Sequence, residues 1–273
     1  MNRYRPIGLY DSGIGGLTVV REVFAQLPAE NVVYFGDTAR VPYGCRQPSE
    51  LISFNREIMT FMMQQGVKLV LVACNTSCAV ALGALRAEFP IPIIGLIDAG
   101  AQTAVEAGRR IGVIATEATI KSRAHERAIH QIAPDREVLG LACPTLVPLV
   151  ESGRWQGKEA FETVYEAIHP LINLKLDALI FGCTHFPHLV PIVSEILGPQ
   201  VRLIDPARQA VSNVRRYLSM NRLANVGEPK GENRFYVSGE PAPFQFLANH
   251  LFAGTVGRVE SIALPFPNVS SIA

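Results

Sequence analysis

Residues 69–78, LVLVACNTSC, carry an apolar run straight into Cys74, Asn75 and Thr76. Residues 178–187, ALIFGCTHFP, do the same with Cys183, Thr184 and His185. Neither run alternates polar with apolar positions, which is how a strand covered on both faces reads. Each cysteine is then followed by hydrogen-bonding side chains where a helix is expected to begin. The partial positive charge of a helix N-terminus favours thiolate and lowers a thiol pKa that is otherwise about 8.5. A lone cysteine after a strand reads as a small buried hydrophobe; two in matching settings point to chemistry.

Working outward, similar runs recur: PIGLY, NVVYF, KLVLVA, IPIIGLI, RIGVIA, REVLGLA, DALIFG, VRLID and RFYVS. Between them lie segments such as SELISFNREIMTFMMQQG and KEAFETVYEAIHPLIN, whose apolar residues recur at three and four, the helical period. This alternation predicts an α/β fold of mainly parallel sheets. The strand ending at Asp11, Ser12 and Gly13 has a faint counterpart in RIGVIATEAT, and each is followed later by a cysteine-bearing strand end. A twofold pseudo-repeat of doubly wound units would set the two cysteine turns facing each other across a cleft. The helix read over 204–223 leads into the polar stretch ANVGEPKGEN, a boundary or exposed linker.

Composition lends no support to several classes of function. With 25 basic against 24 acidic residues there is no global field to draw nucleic acid or an anionic membrane. No apolar run approaches the roughly 18 residues of a membrane helix, and the opening MNRYRPIGLYDSG holds too short an apolar stretch for a signal-peptide core. A cytoplasmic location is the expectation. The cysteines, Cys45, Cys74, Cys78, Cys143 and Cys183, are odd in number and form no C-x-x-C pair, so free thiols are expected. Cys78, Cys45 and Cys143 read as packing or surface residues. A metal site at Cys183 and His185 would lack further ligands at the usual spacing, so no metal is expected. DSGIGG, residues 11–16, reads either as a backbone cradle for an anion at a helix start or as a tight turn capped by Asp11 or Ser12. It lacks the spacing of a nucleotide-binding loop.

The strings DSGIGG (11–16), YFGDTARVPYG (34–44), ACNT (73–76), CPTLVPLVESG (143–153) and GCTHFP (182–187) resemble, in that order, those of the glutamate racemases within the cofactor-independent aspartate/glutamate racemase family. The resemblance implies an enzyme that interconverts L- and D-glutamate without a cofactor, supplying D-glutamate for bacterial peptidoglycan. It implies two α/β domains, one discontinuous (1–97 plus 208–273) and one inserted (98–207), with the active site in the cleft between them. Cys74 and Cys183 resemble the catalytic acid/base thiols, acting on the D- and L-enantiomer respectively. Asp11 assists the first and His185 the second, with Glu151 a further acid near Cys183. Asp11, Ser12, Pro42, Tyr43, Gly44, Asn75, Thr76, Thr119, Thr184 and His185 are similar to the substrate-binding positions. Ser77 with Cys78, and Phe186, depart from the family's commonest pattern, and neither departure removes a catalytic group.

The chemistry gives the paired cysteines a reason of their own. Racemisation removes a proton from one face of Cα and returns one to the other, so two acid/base groups must flank a planar carbanion. Of the lysines, Lys68, Lys121, Lys158, Lys175 and Lys230, none has a recognisable Schiff-base setting, though Lys121 stays open. Expected partners are glutamate as a small-molecule substrate and, as an open option, a second copy of the chain in a homodimer; neither nucleic acid nor membrane is expected. The rival readings are a related racemase acting on aspartate or a hydantoin, and a non-catalytic carboxylate-binding protein on the same fold.

Overall fold

The computed structural model describes residues 2–227, 231–252 and 256–263. Its strands are β1 (Ile7–Asp11), β2 (Val32–Gly36), β3 (Leu69–Val72), β4 (Ile93–Gly95), β5 (Arg110–Ala115), β6 (Glu137–Ala142), β7 (Ala178–Gly182), β8 (Arg202–Ile204), β9 (Arg234–Val237) and β10 (Val259–Ser261). Every residue of β1, β2, β3 and β7 is buried, which is why these runs carry no polar alternation. They form two sheets, ordered β10-β9-β2-β1-β3-β4 and β6-β5-β7-β8, and all the described strand pairs are parallel.

The order β2-β1-β3-β4 in the first sheet matches β6-β5-β7-β8 in the second. The faint sequence repeat is therefore a repeat of topology, with β1 answering to β5 and β3 to β7. In each sheet the chain leaves a central strand on one side and returns on the other, which opens a crevice at the carboxyl ends where it reverses. Register sets what stands there. Tyr10 pairs with Val72, and the Ala73 N–H donates to the Tyr10 carbonyl at 2.8 Å, so Asp11 and Ser12 lie beside Cys74. Ala115 pairs with Gly182, so Thr116 lies beside Cys183.

The helices Leu96–Ala107 and Pro206–Met220 join the two sheets. One apolar core takes Leu9 and Leu71 from the first sheet, Ile111 and Ile180 from the second, and Ala101, Ala104, Ala210 and Val214 from these helices. Small side chains on the helices let both sheets approach. A second cluster, including Leu149, Val164, Phe181 and Val193, covers the other face of the second sheet. No helix of the described residues is long and apolar enough to cross a membrane.

Some local readings change. Only Ile93–Gly95 of the run 91–97 is strand; Leu96 and Ile97 are buried on the next helix instead, an ambiguity that short apolar runs carry. The helical reading of 158–173 stops at Ile168, where Pro170 lacks the N–H a continuing helix needs and a 3-10 turn, His169–Leu171, follows. β10 has no apolar run to announce it, being an edge strand with one buried residue of three. Lys230 and part of the linker reading at 224–233 lie outside the described residues, as do residues 264–273 of the C-terminal segment.

Candidate active site

The two crevices open into one cavity of about 110 Å³. Cys74 and Cys183 both line it, with Ser12, Pro42, Tyr43, Gly44, Asn75, Thr76, Thr184 and His185. Asp11, Glu151 and Thr119 stand behind that wall, each hydrogen-bonded to a residue of it. The wall also includes Thr116 and Glu117, which sequence reasoning gave no role, and Cys45, which is exposed. Thr116 was within reach of the repeat, since it follows β5 as Ser12 follows β1.

Cys74 caps the helix Asn75–Val80, its sulfur accepting from the Ser77 N–H at 3.5 Å, and its thiol donates to Ser12 Oγ at 3.9 Å. Asp11 Oδ1 takes the Ser12 N–H at 2.7 Å, and Asp11 Oδ2 takes the Thr184 hydroxyl at 3.1 Å, so the first strand end is tied to the second. Cys183 has no such helix. After it the chain turns into the 3-10 segment Phe186–Leu189. Its sulfur instead faces His185 Nδ1 at 3.6 Å, and His185 Nε2 meets Glu151 Oε1 at 2.6 Å. The expectation of matching helix N-termini therefore holds for Cys74 and fails for Cys183.

Electrostatics separates the two ends further. Burial, and then the Asp11 carboxylate, push the Cys74 thiol up despite its hydrogen bonds with Ser77, so the lowering expected from the helix end does not win. Burial also raises Asp11, against the His185 charge and the Ser12 and Thr184 bonds. At His185 burial lowers the pKa, but the hydrogen bonds and charges of Cys183 and Glu151 outweigh it and hold the ring well above its ordinary value. An imidazolium there offers one N–H to Cys183 and the other to Glu151.

DSGIGG is a tight turn from β1 into the next helix, as one of its two readings has it, but neither Asp11 nor Ser12 caps that helix. Gly16, with no side-chain cap, precedes the helix Leu17–Gln26, and Asp11 serves the Ser12 N–H instead. The glycines allow close approach: a Cβ on Gly15 would stand 2.5 Å from Thr184 Oγ1 and 2.7 Å from His185 Nδ1. Gly44 plays the same part elsewhere on the wall, where a Cβ would meet Thr116 Cβ at 2.7 Å.

The polar atoms left free indicate what the cavity can hold. Tyr43 gives its hydroxyl to Asp37, which also takes Arg40 Nε and Ser238 Oγ, both at 2.7 Å, so Tyr43 offers the cavity its backbone and ring. Thr76, Thr116 and Thr119 bond one another in a triangle of 2.9 to 3.2 Å. Asn75 is 2% exposed and no described protein group bonds its amide oxygen or nitrogen. A buried amide costs free energy unless it is hydrogen-bonded, so Asn75 can offer both a donor and an acceptor to a polar group in the cavity. None of the described lysines lines the cavity: Lys68 is buried against Glu30, and Lys121 pairs with Glu117 at 3.1 Å. Among the described residues no group of three or more His, Cys, Asp or Glu side chains could hold a metal.

Two parallel sheets whose chain reversals open onto one cavity, lined by a cysteine from each, define an α/β protein with a thiol-lined site. The sequence pattern of the Asp/Glu/Hydantoin racemases matches residues 11–214, and the chain belongs to that family. It is 47% identical to a glutamate racemase of Synechocystis sp. over 95% of this chain and 92% of that one. Among solved structures, glutamate racemase isoform RacE1 from Bacillus anthracis superposes with a TM-score of 0.93 at 35% identity, covering 97% of this chain and 100% of that one. The Francisella tularensis enzyme in complex with D-glutamate gives 0.89 at 35% identity, covering 96% and 98%.

Proposed function

We propose that this chain is a glutamate racemase that moves the α-proton with two cysteines, Cys74 and Cys183, and supplies D-glutamate for peptidoglycan in the cytoplasm. The observation that carries the two-thiol reading is their placement at topologically equivalent strand ends lining one cavity. The substrate is inferred from the glutamate racemases that this chain resembles, one of them in complex with D-glutamate. The topology supports dividing the chain as 1–97 plus 208–273 and 98–207, because β9 and β10 join the sheet of β1–β4. A homodimer remains the assembly to test, by sedimentation.

With L-glutamate bound, the Cys183 thiolate takes the α-proton, and the C–H electron pair passes into an enediolate on the α-carboxylate. The Cys74 thiol then gives its proton to the opposite face, leaving D-glutamate, a Cys183 thiol and a Cys74 thiolate. The reverse direction exchanges the roles. His185, held above its ordinary pKa by Cys183 and Glu151, carries the proton donor nearest Cys183, and Asp11 stands beside Cys74. Asn75, whose amide no described protein group bonds, supplies a donor to the developing enediolate, while Thr184 gives its hydroxyl to Asp11 and offers its backbone. Ser12, Tyr43 and Gly44 form the cradle for the side-chain carboxylate.

Replacing one thiol removes one acid/base group and keeps the other. Loss of such a group costs at least roughly a hundredfold. In deuterated water Cys183→Ser should still exchange the α-proton of D-glutamate, and Cys74→Ser that of L-glutamate, with little inversion in either. Proton NMR of each enantiomer with each variant reads this pattern. A variant that inverts both enantiomers at near wild-type rate removes that cysteine from the mechanism. Aspartate and hydantoins, offered to wild type in the same assay, separate glutamate from the family's other substrates.

A further inference from the structure

A second cavity, of about 180 Å³, opens between β5, β6 and the break that separates the helices Glu117–Ser122 and Ala124–Ile132. The break is at Arg123, whose φ of 53° is left-handed and swings the second helix off the line of the first. His125 lines the cavity at 4% exposure, and no described protein group bonds either of its ring nitrogens. A buried polar atom without a partner is destabilising, so this ring calls for a group that enters to meet it.

The surroundings define what would enter. Burial lowers His125 to about 4, so at neutral pH the ring is uncharged and presents one N–H donor and one bare nitrogen. Thr119 adds a hydroxyl, and Val113 and Val138 supply apolar wall. At the rim Arg123 is already engaged, its Nε donating to Glu126 Oε2 at 2.6 Å, so neither a free cation nor a free anion faces inward. We propose that this cavity is a second ligand site, taking a small neutral carboxamide that hydrogen-bonds a His125 ring nitrogen and the Thr119 hydroxyl. An amide supplies donor and acceptor in one plane and brings no charge that the site would have to neutralise.

The site is separate from the thiol cavity but shares its supports. Thr119 bonds Thr76 and Thr116, both of which line the thiol cavity. A Cβ on Gly182 would stand 3.2 Å from His125 Nε2, so the ring lies against the residue that precedes Cys183.

Saturation-transfer NMR of benzamide with the whole protein, in the presence of saturating glutamate, tests the proposal. Wild type should give a saturable signal in the millimolar range that glutamate does not remove. His125→Gln, which keeps a donor and an acceptor, should retain it. His125→Phe and His125→Met remove both and should abolish it, and whichever of the two keeps the wild-type far-ultraviolet spectrum and cooperative melt serves. Absence of signal with wild type, as for a cavity filled by ordered water alone, overturns the proposal. So does a signal that glutamate displaces, or one that survives in the folded apolar variant.

Discussion

Replacing Gly15 by Ala adds one methyl group where the turn after β1 meets the turn after β7. Its Cβ would stand 2.5 Å from Thr184 Oγ1, 2.7 Å from His185 Nδ1 and 2.8 Å from His185 Cε1. Atoms in contact settle near 3.5–4.0 Å, so both side chains must withdraw by roughly 1 Å. Neither can do so freely, because Thr184 holds Asp11 at 3.1 Å and His185 sits between Cys183 and Glu151. Overpacking of this kind costs about 1–3 kcal/mol. At 1.36 kcal/mol per tenfold, that range corresponds to about 5- to 150-fold in kcat/KM if the strain falls on the reacting geometry. A misplacement of about 1 Å in an active site carries a loss of similar size, near a hundredfold. Circular dichroism follows racemisation from either enantiomer, and a thermal melt reads the strain as a lowered Tm. Gly83→Ala is the control, since a Cβ there meets nothing within 4 Å. Wild-type kcat/KM and Tm in Gly15→Ala would refute the argument that this glycine exists for close approach.

Glu151→Gln removes a carboxylate that helps hold His185 above its ordinary pKa of about 6.5. The imidazolium is complete below that value and lost as pH rises through the raised one. The variant's ring should therefore deprotonate earlier, moving the alkaline limb of kcat/KM to lower pH; an unmoved limb counts against Glu151 acting through His185. Thr116→Val deletes a cavity hydroxyl bonded to Thr76 and Thr119. Two bonds at about 0.5–1.5 kcal/mol each make about 1–3 kcal/mol, so kcat/KM should fall roughly 5- to 150-fold, and steady-state kinetics at wild-type level would remove Thr116 from the site.

What was legible in the sequence follows from what is local. Buried parallel strands read as continuous apolar runs, and a cysteine after such a run lies at the carboxyl end of a strand, so Cys74 and Cys183 could be placed by pattern. The partners of those cysteines are not local. Asp11 and Thr184 are brought together from different sheets. Tyr43 loses its hydroxyl to Asp37, which Ser238 also engages from the far end of the chain. The helix-end argument for Cys74 was sound in sign but gave no measure of burial, and burial prevails. For Cys183 the mistake was local, because Pro187 enters a 3-10 segment in place of an α-helix.

The scaffold is close to symmetric and the proton partners are not. Cys74 has a helix N-terminus and a carboxyl group beside it, whereas Cys183 has an imidazole backed by Glu151. The reaction itself imposes symmetry, since the two enantiomers of glutamate have equal free energy and any variant must leave the equilibrium constant at one. The ratio of kcat/KM in the two directions is fixed by that constant, so chemical asymmetry can appear only as compensating differences in kcat and KM. His185→Asn takes the imidazole from one wall and leaves Asp11 on the other. It should lower kcat unequally for L- and D-glutamate, with KM changing in the same proportion, while progress curves from either side meet at zero ellipticity. Equal losses of kcat in both directions would mean that His185 supports the site as a whole and does not serve Cys183 in particular.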